Sequence, residues 1–389
     1  MHAPTKPLPL GLTLLIVFML LLSSALVARP VSAASIVVNS NADIFSDDGQ
    51  CTLREAIHNA NNEIQLYSSP GECASGSTGA DTITFANHYI ITLNSEYKQL
   101  VISSEIKIIG TGSAYTIIQA SECNPVTLEP SGCIPVNFSV LEVTNSGDLN
   151  LEGVTVRHGK QYSGGGIINM GTLLVNESTI SENLGEGGGG GIVNTGFSTA
   201  TIINSTLTGN QGGIGGAIWN NLANFYITNS TFSNNSAQDV GGAIYNVGDM
   251  AITNSTLYVN IATNSGGGIF NESSSSLKYN NTIIAGSTGG DCHNAGSIYA
   301  DSTHNLVEDG SCNTATNLTG DPKLGPLADN GGPTLTLALL PGSPAIDAAH
   351  PDYCTNTDQR GVSRPQGSAC DIGAFEYDIV SIYLPLIMK

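Results

Sequence analysis

The chain has 389 residues, with 12 Lys and Arg against 32 Asp and Glu, for a formal charge of −20 at neutral pH. From Gln161 to Leu277 there is no Lys, Arg or His at all. Nucleic-acid binding needs a basic stripe, which this stretch lacks, and anionic polymers or membranes would be repelled unless calcium bridged the charge.

Residues 1–33 combine a basic start (Lys6), an apolar run from Leu8 to Leu22 and a small-residue site at Val31-Ser32-Ala33. This is the pattern of a secretory signal peptide cut after Ala33. The apolar run is short for a spanning anchor, so no transmembrane helix is expected in the mature chain.

Residues 34–99 are expected to form an N-terminal cap. Ile36–Val38 reads as a strand, and Thr52 with Glu55 makes a capping box for a helix over 52–62. Leu53, Ala56, Ile57 and Ala60 then share one face, suited to covering the open first coil and shielding its edge. The phrase CTLREAIHNAN resembles the CSLREA motif that opens secreted β-helix proteins. Asp43, Asp47 and Asp48 beside Gly49 are a candidate calcium site, calcium being the one cofactor these residues suggest; the alternative is a solvated turn.

The body is expected to be a parallel β-helix over 100–290, irregular at first and regular over 161–284. Five copies of Gly-Gly-(Gly/Ala)-Ile-x-Asn end at Asn169, Asn194, Asn220, Asn246 and Asn271. A second word runs through Thr179-Ile180, Thr206-Leu207, Thr231-Phe232, Thr256-Leu257 and Thr282-Ile283, and a third column is Asn183, Asn210, Asn235 and Asn260. A constant period of about 25 residues marks a solenoid. Short apolar runs split by Gly and Asn leave no helical stripe, so the coils stack as strands roughly 4.8 Å apart.

In this reading the Asn amides form ladders, Asn tolerates left-handed corners, and the Gly pairs give positive-φ corners. Ile167, Ile192, Ile218, Ile244 and Ile269 would form one inward stack, and Ile180, Leu207, Phe232, Leu257 and Ile283 another. Together with TFSNN at Thr231–Asn235, the repeat resembles those of polymorphic outer membrane proteins, which implies an all-β, right-handed parallel β-helix of the pectin-lyase-like kind. The stretch after the last repeat is expected to be too short for the membrane β-barrel that ends those proteins.

Residues 291–377 are Pro- and Gly-rich and are expected to form an irregular, disulfide-tied C-terminal cap. The phrases DNGGPT, LLPGSPAID, DQRG…RP and CDIGAFEY resemble the choice-of-anchor Q domain, which implies a secreted or surface-displayed bacterial protein. Eight Cys fall as neighbours in sequence, Cys51/Cys73, Cys123/Cys133, Cys292/Cys312 and Cys354/Cys370, none of them in the repeats. Four disulfides are expected, with the pairing left open. Asp358, Arg360, Arg364, Asp371 and Glu376 suggest ion pairs within this segment. The apolar tail, 378–389, is either a sorting signal or a last strand.

Candidates for chemistry are few. Glu186 and Asp239 stand just before Gly pairs, two coils apart, and are the candidate carboxylates of a glycoside hydrolase; the alternative is solvated turn acids. Arg157, His158 and Lys160 read as an isolated surface trio at the edge of the repeats. Trp219, Tyr245 and Phe270 each precede a corner Asn, so strand alternation turns them outward as a stripe able to contact sugar rings, unless a loop covers it. Nine Asn-x-Ser/Thr sites occur, four of them in step with the coil, where ladder chemistry accounts for them. The expected function is a secreted or cell-surface, non-catalytic, adhesin-like or carbohydrate-contacting module with glycans or cell-surface components as partners. The alternatives are a polysaccharide lyase or glycoside hydrolase and a purely structural envelope protein.

Overall fold

The computed structural model describes residues 33–312 and 314–378. The expected signal peptide, apart from Ala33, and the apolar tail beyond Asp378 lie outside them. The described chain is a parallel β-helix. One coil runs through four short strands, Ile218–Asn221, Asn224–Thr228, Thr231–Ser233 and Ser236–Ala237. Stacked on their counterparts, these build sheets of eight, ten, nine and five strands. We call them the aromatic, broad, threonine and short sheets. Pairing within all four is parallel, and a separate two-stranded antiparallel pair joins Leu324–Ala328 to Thr336–Leu339.

The period in sequence becomes register in space. Ile192, Ile218, Ile244 and Ile269 are direct cross-strand partners, each wholly buried. Burying such a side chain contributes about 1.5–3 kcal/mol, so stacks of this kind hold neighbouring coils together. The second stack is Ile180, Leu207, Phe232, Leu257 and Ile284. Here the last coil departs from the expected pattern. Ile283, not Thr282, aligns with Thr256, and Ile283 turns outward into a second apolar cluster with Leu339, Ile372 and Phe375. A one-residue lengthening before this strand exchanges the inward and outward positions relative to the repeated word.

Both amide ladders form. Asn169 Nδ2 donates to Asn194 Oδ1 at 2.7 Å, and the relay continues through Asn220, Asn246, Asn271 and Asn294. The other runs from Asn183 through Asn210 and Asn235 to Asn260, at 3.0 Å per step. The left-handed corners lie elsewhere than expected. One column of them is Asn204, Asn229, Asn254 and Asn281, with φ of 50, 47, 47 and 49°. The ladder residues are conventional in backbone and are chosen for their amides. The Gly pairs behave as anticipated: Gly215, Gly241 and Gly266 have φ of 59, 68 and 63°. A Cβ on the next residue, Gly216, would stand 2.1 Å from the Gly242 carbonyl, so close coil stacking excludes any side chain there.

The helix α1, Leu53–Asn62, starts at Thr52 with both halves of the capping box formed. Leu53, Ala56, Ile57 and Ala60 are buried in the main core with Ile36 and Val38 of the first strand. All four disulfides pair sequence neighbours: Cys51–Cys73, Cys123–Cys133, Cys292–Cys312 and Cys354–Cys370.

The C-terminal segment is irregular and disulfide-tied, and it lies as a strap along the flank of the helix. It crosses coil after coil on the threonine sheet and its corner. Asn281 donates to the His350 carbonyl, Asn254 to that of Tyr353 and Asn229 to that of Thr357. Thr206 donates to the Leu335 carbonyl, Thr231 to Gln359 Oε1, and the Ala374 amide donates to Thr256 Oγ1. Within the strap the expected ion pairs are present: Arg360 meets Asp358 at 2.7 Å, and Arg364 lies 3.7 Å from Glu376. Burial of these charges is matched by Arg364 donating to the Asp371 and Gly373 carbonyls.

Candidate functional site

Strand alternation on the aromatic sheet puts every second residue outside. The outward column reads Ile168, Val193, Trp219, Tyr245, Phe270 and His293, each in register with the next. Tyr245 and Phe270 have ring centroids 5.6 Å apart, and Phe270 stacks on His293 at 4.5 Å with 16° between planes. The three expected aromatics are therefore brought together, and His293 extends the column. The residue preceding the ladder residue Asn294 carried the same positional signal, but the Gly-Gly-x-Ile word is absent from that coil.

The column is uneven. A Cβ on Gly188 would lie 2.7 Å from the Trp219 ring and 2.1 Å from Ser163 Oγ, so the glycine-rich turn packs directly against the indole. Trp219 Nε1 is buried with no hydrogen-bond partner, as is Ser163 Oγ. Tyr245 and Phe270 are partly exposed. The Tyr245 hydroxyl donates to Glu272 at 3.2 Å. Burial, with the Glu272 charge beside it, raises the Tyr245 pKa, while hydrogen bonds from the Ser273 amide and hydroxyl hold Glu272 below its ordinary value. The site thus offers ring faces with a neighbouring fixed acceptor, suited to an apolar sugar face with flanking hydroxyls.

The other candidates have different surroundings. Glu186 pairs with Lys160 at 3.0 Å, and Asp239 accepts from Asn264 Nδ2 at 2.6 Å. Both are exposed on a corner two coils apart, each engaged by a polar partner. The calcium candidates do not converge: Asp43 is buried and chelated by Arg54, with bonds of 2.7 and 2.8 Å, and also accepts the Asn94 amide. Asp48 caps the Gln50 amide. No grouping of three or more His, Cys, Asp or Glu suited to a metal occurs among the described residues.

The basic trio is not an isolated surface feature. His158 is buried, with its ring nitrogens 3.0 Å from the Ser121 carbonyl and 3.2 Å from Glu182. That contact, foremost, holds the Glu182 pKa below its ordinary value. Arg157 is half-buried, and its Nε donates to Gln119 Oε1 at 2.9 Å. Sequence reading missed this grouping because Glu182 and Gln119 join Arg157 and His158 only through register between coils.

Fold and site together define an all-β protein of the parallel β-solenoid class, with an outward aromatic column. No family model matches the chain, and no curated protein does. The crystal structure of pectate lyase Pel9A is similar at a TM-score of 0.42 and 16% identity, over 90% of this chain and 98% of that one. A likeness this distant carries nothing about activity or site residues. Among the described residues no helix is long and apolar enough to cross a membrane.

Proposed function

We propose that this chain is a secreted or surface-displayed β-helix that contacts carbohydrate without cleaving it, through the outer face of its aromatic sheet. The observation that carries this is the in-register run of Tyr245, Phe270 and His293 with Glu272 beside it. Four disulfides suit an oxidising compartment. The resemblances to CSLREA, polymorphic outer membrane protein repeats and the choice-of-anchor Q domain agree with export and display. The partners Lys160 and Asn264 favour structural roles for Glu186 and Asp239.

The test is retention of the purified chain on immobilised neutral and uronic-acid polysaccharides, with and without calcium, while soluble products are assayed. Retention without product, reduced roughly tenfold or more by Tyr245→Ala or Phe270→Ala, is expected, since stacked aromatics commonly dominate such contacts. Unchanged retention in both variants would remove the aromatic column from the reading. Release of oligosaccharides would replace it with a lyase or hydrolase.

A further inference from the structure

The strap does not cover the whole threonine sheet. Where it ends, at residues 332–335, a cleft of about 570 Å³ opens between it and the turn at residues 112–115. The walls are tied together: Ser113 Oγ donates to the Pro333 carbonyl, and Thr155 Oγ1 to the Ser113 carbonyl, both at 2.6 Å. A second cavity of about 630 Å³ adjoins it, and Arg157 lines both. This volume is that of a small-ligand site.

The floor is the outward column Thr92, Gln119, Arg157, Ser181 and Thr208, in register across five coils and so roughly 19 Å long. Gln119 donates to Thr92 Oγ1 at 2.9 Å and accepts Arg157 Nε, which fixes the guanidinium plane. Glu182, on the same wall, is steadied by His158. At the rim Tyr115 is 55% exposed and stacked on His88, centroids 4.5 Å apart, which holds one ring face ready.

We propose that this cleft binds a neutral oligosaccharide, Arg157 and Glu182 addressing its hydroxyls and Tyr115 stacking against a sugar ring. A hydroxyl both donates and accepts, so it satisfies a fixed donor and a fixed acceptor side by side. An anionic ligand would meet Glu182 and Asp329 in a chain of net charge −20, and a cationic one would meet Arg157. The sheet's hydroxyl rows add further partners of both kinds. This site is separate from the aromatic column, and either can fail alone.

Calorimetric titration of the full chain with soluble xylo-, manno-, gluco- and galacto-oligosaccharides, and with oligogalacturonate, tests it. Binding is expected from at least one neutral series. Tyr115→Ala and Arg157→Lys should each weaken it roughly tenfold, while Tyr226→Ala, at an exposed tyrosine on the broad sheet outside both sites, leaves it unchanged. Tyr115 is exposed, so its replacement keeps the test valid even if the Arg157 variant unfolds. No binding of any neutral series, stronger binding of oligogalacturonate, or full affinity in Tyr115→Ala would each overturn the proposal. Loss of polymer retention with oligosaccharide binding intact would instead count only against the aromatic column.

Discussion

The Asn254 side-chain amide donates to the Tyr353 carbonyl at 2.8 Å across 99 positions of sequence. Asn229 and Asn281 make the same contact one coil to either side, with Thr357 and His350. Three residues that repeat because the coil repeats are thereby read by a segment that does not repeat. Their left-handed backbones carry the corner, and their amides carry the strap.

These two roles can be separated. Asn254→Gly keeps the positive φ and deletes the amide, whereas Asn254→Ala also strains the corner. The glycine variant should lose about 1–3 kcal/mol, from strap contacts left unpaired, and the alanine variant about 1 kcal/mol more. Denaturant unfolding of both measures the difference. Equal losses would show that the contact with the strap, and not the corner, sets the requirement for Asn.

Within the helix the amide ladder is the more demanding element. Asn220 donates to Asn246 and to the Ala223 carbonyl and accepts from Asn194, with no solvent to replace any partner. Asn220→Ala should cost about 2–4 kcal/mol, since several buried groups lose partners together. An Asn220→Ala midpoint matching that of a surface change such as Asp239→Asn would contradict this.

How much of this was legible in the sequence follows from the same contrast. Spacing alone gave the Ile stacks, both Asn ladders and the outward aromatics, because a constant coil length converts sequence period into vertical neighbours. It failed at Ile283 and Ile284, where the coil lengthens by one residue. The Asp43–Arg54 pair was equally hidden, because a loop and a helix meet there without any period. The strap's route and the Arg157–Glu182 cleft depend on contacts between a non-repeating segment and the coils. No spacing rule reports those.

The strap carries an unusual pH dependence. Burial pushes the Asp371 carboxyl up to about 6 from its ordinary 3.8, against the pull of Arg364, and raises Glu376 as well. A carboxyl whose pKa is raised by folding binds its proton more tightly in the folded state. It therefore weakens the fold above about pH 6, and that cost is relieved as pH falls toward about 4. Glu182 acts oppositely: its pKa is lowered by His158, so its contribution persists above 4.5 and is lost only as pH falls through the folded value. Thermal midpoints should rise from about pH 7.5 to about pH 5, and Asp371→Asn should flatten that rise. A midpoint that falls steadily over the same interval would contradict the assignment.

The Cys354–Cys370 bridge closes 16 residues of the strap. Cys354→Ser with Cys370→Ser should cost about 3 kcal/mol by loop-closure entropy. Since the strap flanks the oligosaccharide cleft at residues 332–335, this double variant should also weaken binding there, and leave polymer retention by the aromatic sheet unchanged. Loss of both together would indicate that the two faces are coupled through the coils.

Trp219 is the only tryptophan, so its fluorescence reports one place: the contact with Gly188. A methyl group at Gly188 would overlap both Ser163 Oγ, 2.1 Å away, and the indole, 2.7 Å away. Gly188→Ala should therefore displace the ring toward water, shift its emission to longer wavelength and cost about 1–3 kcal/mol. If the column binds sugar through Tyr245 and Phe270, retention should survive this change. If instead retention disappears with the shift, Trp219 belongs to the contact surface and the glycine-rich turn is what holds it in place.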